Sequence, residues 1–521
     1  MKLDKIFVTL FVGLAMTACS NDEEATTGGN QLPVDGKAAY MSLSLAMPKS
    51  SGTRAPGENH GTANEQKVNE LYLALFDASD ICLETKTLSA ADYILNVGGA
   101  DVAGHDGKAF RVPSATAKVL AVVNPSDKFK LVCVASTSWS VINNAVEQTV
   151  KEVIGDAKNN FMMINAGKNA SPADGALVAA NVKVVDGTTY ADATAAIAAA
   201  EGDRSEIHVD RVVAKVSLGV NASGVTVPAG VTCTFGNWAL NVTNKSMFPY
   251  SEIIMPAGGS AGADYRIDPN YTLAGFNVSQ FNYLKIAANG SLPTDFSAMA
   301  DSKYCLENTM AAYAQTQAQT TAAVVSAVYT PNSFTAGESW FRLLGVTYKT
   351  LADLQTVYVA AKSATTPDAA QQQVLDLCDQ FYARMSAAAT AQSKTIGADF
   401  AAITIAELDA ITNGGEYSKP AAGETVGVEY FQKGVCYYNI LIRHDDAITA
   451  TMAHGKYGVV RNNWYTLTIN SVKQPGTSWI PDKTDPTKPE NPGEDNDDNE
   501  AYLSVDITVN PWTTWSQGVD L

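Results

Sequence analysis

Side chains able to do acid–base, nucleophilic or metal chemistry are present in this sequence, but not at the spacings such chemistry needs. The five histidines, His60, His105, His208, His444 and His454, form no HExxH, HxH or His-plus-Cys pattern that would hold a zinc ion. His444-Asp445-Asp446 has donor types suited to a cation, yet it follows a strand pattern and reads as a surface turn. No GxSxG, P-loop or strand-borne GxGxxG is present. None of the 54 carboxylates is singled out as half of a glycosidase pair. The seven tryptophans are dispersed and read as core or interface. Trp512 and Trp515 differ, because their terminal segment is too short for a core of its own. No catalytic residue, cofactor site or metal site is expected, and the chain does not read as an enzyme.

Two covalent events are legible instead. Lys2 and Lys5 flank a short apolar run, Ile6 to Met16, too short to span a bilayer as a mature helix. It ends in Met16-Thr17-Ala18-Cys19, which resembles a bacterial lipobox, a signal whose cysteine becomes the lipid-modified N-terminus. Residues 1–19 are therefore expected to be a lipoprotein signal peptide and Cys19 the lipidation site. Asn21-Asp22-Glu23-Glu24 resembles the acidic tag on surface-exported lipoproteins of Bacteroidales. Further on, Lys49 to Gly57 has the composition of an exposed loop, where proteases nick folded proteins. Arg54, followed by Ala55, offers a trypsin-like enzyme its residue. The remaining cysteines, Cys82, Cys133, Cys233, Cys305, Cys378 and Cys436, form no CxxC. They read mostly as small buried apolar residues, and their even number allows disulfides without requiring them.

The elements around these sites carry the strongest pattern. Ala39 to Pro48 and Ala501 to Asn510 look like copies: Ala, Tyr and Ser recur in register, as in Tyr40/Tyr502. Four alternate positions are apolar in both, namely Met41/Leu503, Leu43/Val505, Leu45/Ile507 and Met47/Val509. Strict alternation marks a strand with one buried face, and two interchangeable strands suggest one groove with two possible occupants. One copy lies between the lipid and Arg54. The other follows an acidic, proline-rich linker, 476–500, that could reach roughly 75 Å if extended at about 3.1 Å per residue.

At 521 residues the chain is too long for one ordinary core. Its net charge of −18 argues against nucleic acid or an anionic membrane surface as partner. Many short strand signals indicate sandwich-type domains. They include Leu71 to Leu75, Val119 to Val123, Leu131 to Ala135, Phe161 to Ile164, one long strand over Ile207 to Val220, and Trp464 to Val472. Val146, Val150, Val153 and Ile154 space like one helix face, and the alanine-rich segment near 193–200 reads as a helical surface excursion with little face. A hairpin is expected from Gly427 to Arg443 around Gln432-Lys433-Gly434. Helices capped by Thr350 and Thr404, with a third along Val374 to Met385, fall in an Ala/Gln-rich insertion near 300–415. The expected division is a propeptide over 20–54 and an N-terminal β-sandwich over 55–220. A second sandwich follows over 221–475, then the linker over 476–500 and the terminal strand segment over 501–521.

Several of these stretches together resemble the fimbrillins of Bacteroidales, and most closely the shaft subunits of Mfa-type minor fimbriae. They are Ala39 to Pro48, Arg54-Ala55, Asp210 to Leu218, Tyr437 to Leu441, Val509 to Trp512 and, most specifically, Tyr457-Gly458-Val459-Val460-Arg461-Asn462-Asn463-Trp464-Tyr465. The resemblance implies a mainly β protein of two tandem transthyretin-like sandwiches and a pilus subunit that polymerises by strand exchange. It implies lipidation of Cys19 at the outer membrane and cleavage between Arg54 and Ala55 by an Arg-specific protease. The self-complementing strand (Tyr40, Met41, Leu43, Leu45, Met47) would then be replaced by a neighbour's donor strand (Leu503, Val505, Ile507, Val509, Trp512). Implied partners are copies of itself, anchor and tip subunits, and host or bacterial surface receptors. A monomeric surface lipoprotein binding a glycan or host ligand, its terminal strand docked on its own body, is the alternative from a different class.

Overall fold

The computed structural model describes residues 39–46, 61–88, 94–96, 108–166, 182–254, 265–273, 279–284, 293–411, 415–420, 426–445, 448–481, 496 and 503–511. Cys19, Met47, Arg54, Ala55, Trp512 and Trp515 lie outside the described residues. The protein is mainly β.

The first core is enclosed by a seven-stranded sheet and a three-stranded one. Leu71–Phe76 and Lys118–Val123 sit centrally in the larger sheet and are buried almost throughout, as their continuous apolar runs require. Ser205–Arg211 lies between Met163–Asn165, which is antiparallel to it, and Leu43–Ala46, which is parallel.

The expected long strand over 207–220 is interrupted. Ser205–Arg211 belongs to the first sheet, and Val213–Val220 to a second, four-stranded sheet. Val212 is the point of transfer: its N–H donates to the Met162 carbonyl at 3.1 Å, and its side chain is buried in the first core. Asp210-Arg211-Val212-Val213-Ala214-Lys215 thus forms a continuous ribbon joining the two halves. Both faces of the ribbon are buried, which is why its sequence reads as a single strand.

In the second half, strand Val213–Val220 pairs with Lys303–Leu306 and, in parallel, with Asn463–Val472. Opposite it stands a three-stranded sheet of Thr232–Asn241, Ala322–Thr330 and Val435–Leu441. The second core lies between these two sheets. The halves also meet directly, since Val146–Glu147 pairs with Ser246–Met247 and Trp139 packs edge-on against Tyr250 at 6.4 Å.

The helical insertion is shorter than its composition suggests. Lys303–Leu306 and Ala322–Thr330, within the expected 300–415, are sandwich strands. A separate third core is built by Trp340–Leu343, Glu429–Phe431 and helices Leu351–Lys362, Ala369–Ala391 and Ile405–Ala410. The capping boxes of Thr350 with Asp353 and Thr404 with Glu407 are formed. Glu429–Phe431 and Val435–Leu441 do not pair as a hairpin: the first joins strand Trp340–Leu343 of the insertion and the second joins Ala322–Thr330 of the sandwich.

Two short apolar runs also resolve differently. Leu131 lies in the last turn of a helix, Asp127–Val132, capped by Ser126, and is 79% exposed. Val146 is in a two-residue strand rather than on the helix face of Val150–Ile154. Runs this short carry too little period to separate strand from helix.

Candidate functional site

The N-terminal strand copy is seated inside the first half with neighbours on both sides. Ala39–Met41 runs antiparallel between Phe110–Val112 and Val185–Asp186. After Ser42, whose carbonyl accepts the Ser205 N–H at 2.8 Å, Leu43–Ala46 runs parallel between Ser205–Arg211 and Ile94–Asn96. Ala39, Met41, Leu43 and Leu45 all enter the first core, and the last three are no more than 1% exposed; Tyr40 and Ser42 are buried as well, so the strand is covered on both faces where one was expected. Burying Met41, Leu43 and Leu45 is worth roughly 5–9 kcal/mol gross, at about 1.5–3 each.

Tyr40 points the other way. It is 1% exposed beneath helix Ala193–Gly202, against Ala109, Ala193, Ala196 and Ala200. Asp192 caps this helix, its carboxylate accepting the Ala195 N–H at 2.9 Å. Glu201 ties it down by accepting the Ala109 N–H at 3.0 Å. The alanine-rich segment is therefore a lid on the tyrosine, a role its sequence hides because alanine contributes little to hydrophobic periodicity.

The C-terminal copy occupies a different place. Leu503–Pro511 lies antiparallel on Asn463–Val472 at the outer edge of the four-stranded sheet, with Leu467 opposite Ile507 and Ile469 opposite Val505. Leu503 and Ile507 are buried against the second core, Val505 is half-buried, and Ser504, Asp506 and Thr508 are exposed. Val509 pairs by backbone with Tyr465. The described parts of the two copies thus sit apart: 39–46 fills a two-sided slot in the first half, and 503–511 covers an edge in the second. The segment leading from strand 463–472 to strand 503–511 is partly pinned. Thr477 exchanges backbone hydrogen bonds with Tyr437 at 2.8 and 2.9 Å, Trp479 and Ile480 are buried, and Asn496 donates to the Thr320 hydroxyl at 2.7 Å.

Both strands end at the ribbon between the halves, where a buried polar cluster gathers. Glu65, from the capped turn Ala63–Gln66, accepts from Lys215 at 2.9 Å and from the Tyr304 hydroxyl. Burial pushes the Glu65 carboxyl up, but hydrogen bonds from Tyr304, Lys215 and the Thr62 N–H outweigh it and hold the group below its ordinary range. The Lys215 ammonium stands 3.5 Å over the Trp464 ring. Arg211 donates to the Glu65 carbonyl at 3.0 Å, and Arg266 pairs with Asp210 at 2.9 Å. Asn462 completes the joint: its amide donates to Asp210 at 2.8 Å, and its carbonyl oxygen accepts the Arg211 N–H at 3.4 Å.

That last bond has a structural consequence. Val212 turns its N–H toward the strand on the far side, 163–165. By alternation, the N–H groups of Ser205 and Arg211 face the slot. The Asn462 side chain therefore fills the ladder position where the slot would otherwise continue. The stretch Tyr457 to Tyr465, the most specific piece of the resemblance, builds this joint. Arg461 pairs with Glu307 at 3.2 Å and donates to the carbonyls of Pro249 and Phe248, while the Tyr465 hydroxyl meets His444 at 2.8 Å. His444 is thus a buried partner of Tyr465, and no metal-ligating cluster occurs among the described residues. The six described cysteines are unbridged, and burial pushes the thiols of Cys133, Cys305, Cys378 and Cys436 up to about 12. No described helix is long and apolar enough to cross a membrane.

These features define a class: a mainly β chain of two sheet-enclosed cores, with one internal strand and one terminal strand of the same pattern. Within it, residues 429–518 match the family described as major fimbrial subunit protein type IV, fimbrillin, C-terminal. The chain is thus similar to the fimbrillins over the region holding strands 463–472 and 503–511. Among solved structures it is similar to a fimbrilin (fimA) of Porphyromonas gingivalis W83, at 14% identity and a TM-score of 0.39 over 92% of this chain and 99% of that one. It is also similar to the tip fimbrial protein Mfa3 of Porphyromonas gingivalis, at 9% identity and 0.30 over 91% and 100%. A fimbrial assembly protein of Parabacteroides distasonis matches at 12% identity and 0.29 over 56% and 81%. No curated protein matches the sequence.

Proposed function

We propose that this chain is a structural subunit of a fimbrial shaft, exported as a lipoprotein precursor, with strand 39–46 as a temporary occupant of its slot. In this reading Cys19 carries lipid at the outer membrane, and an Arg-specific protease cuts between Arg54 and Ala55. The freed strand leaves with its lipid, and strand 501–510 of a second copy enters. The contact is head-to-tail and heterologous, so it propagates as a filament, bounded by anchor and tip subunits and serving adhesion to host or bacterial surfaces. The domain boundaries at 54/55 and 220/221 belong to the same proposal.

The observation that carries the reading is the unequal seating of two interchangeable strands. The slot offers hydrogen-bonding strands on both sides and fully buries three apolar side chains. Among the described residues the edge offers one neighbour and buries two, Leu503 and Ile507, with Val505 half-buried. A terminal strand moving from edge to slot therefore gains contacts, provided the slot is vacated. While strand 39–46 remains covalently attached, its effective concentration keeps competitors out; cleavage removes that protection.

Trypsin treatment of purified precursor should give ladders on unheated gels, and Arg54→Ala should give a stable monomer. A second reading, a monomeric surface lipoprotein with its terminal strand docked in cis, is favoured by the seat of 503–511 on its own strand 463–472. Persistent monomers after clean cleavage at Arg54 would select it.

A further inference from the structure

The incoming strand has a register problem that its apolar alternation does not solve. A slip of one residue turns every apolar side chain outward, but a slip of two keeps the pattern intact. Something else must distinguish the correct position from its neighbours two residues away.

We propose that the cavity beneath helix Ala193–Gly202 is a tyrosine-reading pocket, and that its ligand in the filament is Tyr502 of a second copy of this chain. The inference rests on the strand-exchange reading above. The pocket wall is made of the smallest side chains, Ala109, Ala193, Ala196 and Ala200, which lets an aromatic ring approach the helix backbone closely. Independently of that wall, a polar side chain is already aimed into it: Tyr40 is 1% exposed, and its hydroxyl has no hydrogen-bond partner among the described residues. The pocket thus takes the ring for its shape and leaves the hydroxyl unused. Laying Ala501 on Ala39 puts Tyr502 on Tyr40 while Leu503, Val505 and Ile507 take the places of Met41, Leu43 and Leu45.

The wrong registers fail in this pocket. A slip of two residues one way seats Ser504 there, leaving a void where the ring belongs; a slip the other way seats Glu500, a carboxylate among alanines. Only the correct register places an aromatic ring under the helix.

The test uses synthetic peptides of residues 499–512 as chain terminators during trypsin-triggered polymerisation of the full-length precursor. Three peptides carry Tyr, Phe or Ala at position 502. The Phe peptide should stop growth at the same concentration as the Tyr peptide or a lower one, since the buried hydroxyl makes no bond among the described residues and removing it loses nothing. The Ala peptide should need on the order of a hundredfold more, the lower side of what losing a buried aromatic costs. Equal potency of all three, while they do terminate growth, would overturn the pocket and leave strand exchange standing. If no peptide terminates growth, or no polymer forms, strand exchange itself fails. A size swap guards against a peptide artefact. The precursor Tyr40→Ala/Ala196→Leu has its own ring removed and its pocket filled, so it should accept the Ala peptide at least as well as the Tyr peptide; an unchanged preference for tyrosine would also overturn the proposal.

Discussion

Glu65 and Lys215 are each almost fully buried, so neither charge survives there without the other. Breaking such a pair strands a charge and costs roughly 3–5 kcal/mol. The sign of the pH dependence follows from Glu65. Its folded pKa lies below the ordinary value of 4.5, so its contribution is present above that value and fades as pH falls through the folded pKa. Burial draws the Lys215 ammonium down from 10.5, which bears on the alkaline side and leaves the acid window to Glu65. Glu65→Gln should therefore melt well below the wild type at pH 7, and the gap should close as the pH is lowered past 4.5. A gap that stays constant across that range would show that the carboxylate's charge does not hold the joint. Gly458 makes a second residue-scale prediction. Its φ is +117° and a Cβ would stand 2.7 Å from the Asn308 carbonyl oxygen, so Gly458→Ala should lose roughly 2–3 kcal/mol in thermal or chemical unfolding.

At the scale of elements, the two strand copies differ in how much a charge would hurt them. Leu43 is enclosed on all sides, whereas Ile507 lies on an edge strand whose far side is open. Leu43→Asp should cost the precursor roughly 3–5 kcal/mol, and Ile507→Asp about 1–3, because its carboxylate can reach water. After cleavage the order reverses: the Leu43 strand is discarded and polymerisation proceeds, while Ile507→Asp arrests it. Both could be anticipated because alternation is a two-residue signal that survives in short strands, as at 39–45, 463–472 and 503–507. The helix starts at Thr350 and Thr404 were equally legible, since a capping box is local chemistry. Less legible was whatever depends on distant partners. The break at Val212 is set by Met162 on one side and the second sheet on the other. The tyrosine pocket is written in alanines, and Asn462 has no neighbour in sequence to announce that it ends a slot. The limits of the insertion were blurred because strand 322–330 is itself rich in alanine.

The whole molecule makes one further argument possible, because slot and edge are joined through a single ribbon. Strand 205–211 borders the slot, its continuation 213–220 supports 463–472, and 463–472 carries the terminal strand. In the precursor both sites are filled by the chain's own segments. The proposed strand exchange would fill every internal slot with a neighbour's strand and bare every internal edge, since the strand that covered the edge would have moved on. Cleavage without exchange does the reverse: the slot empties and the edge stays covered. Amide hydrogen exchange separates the two outcomes. In filaments, amides of 463–472 that bond to 503–511 should lose protection relative to the precursor, while those of Ser205 and Ile207, which by alternation face the slot, keep it. In a cleaved monomer, the amides of Ser205 and Ile207 should become labile and those of 463–472 should not change. Protection retained in both strands after polymerisation would mean that subunits join through another surface. The bared edge would then be no part of the joint, and the likeness of the two strands would have to serve the precursor alone.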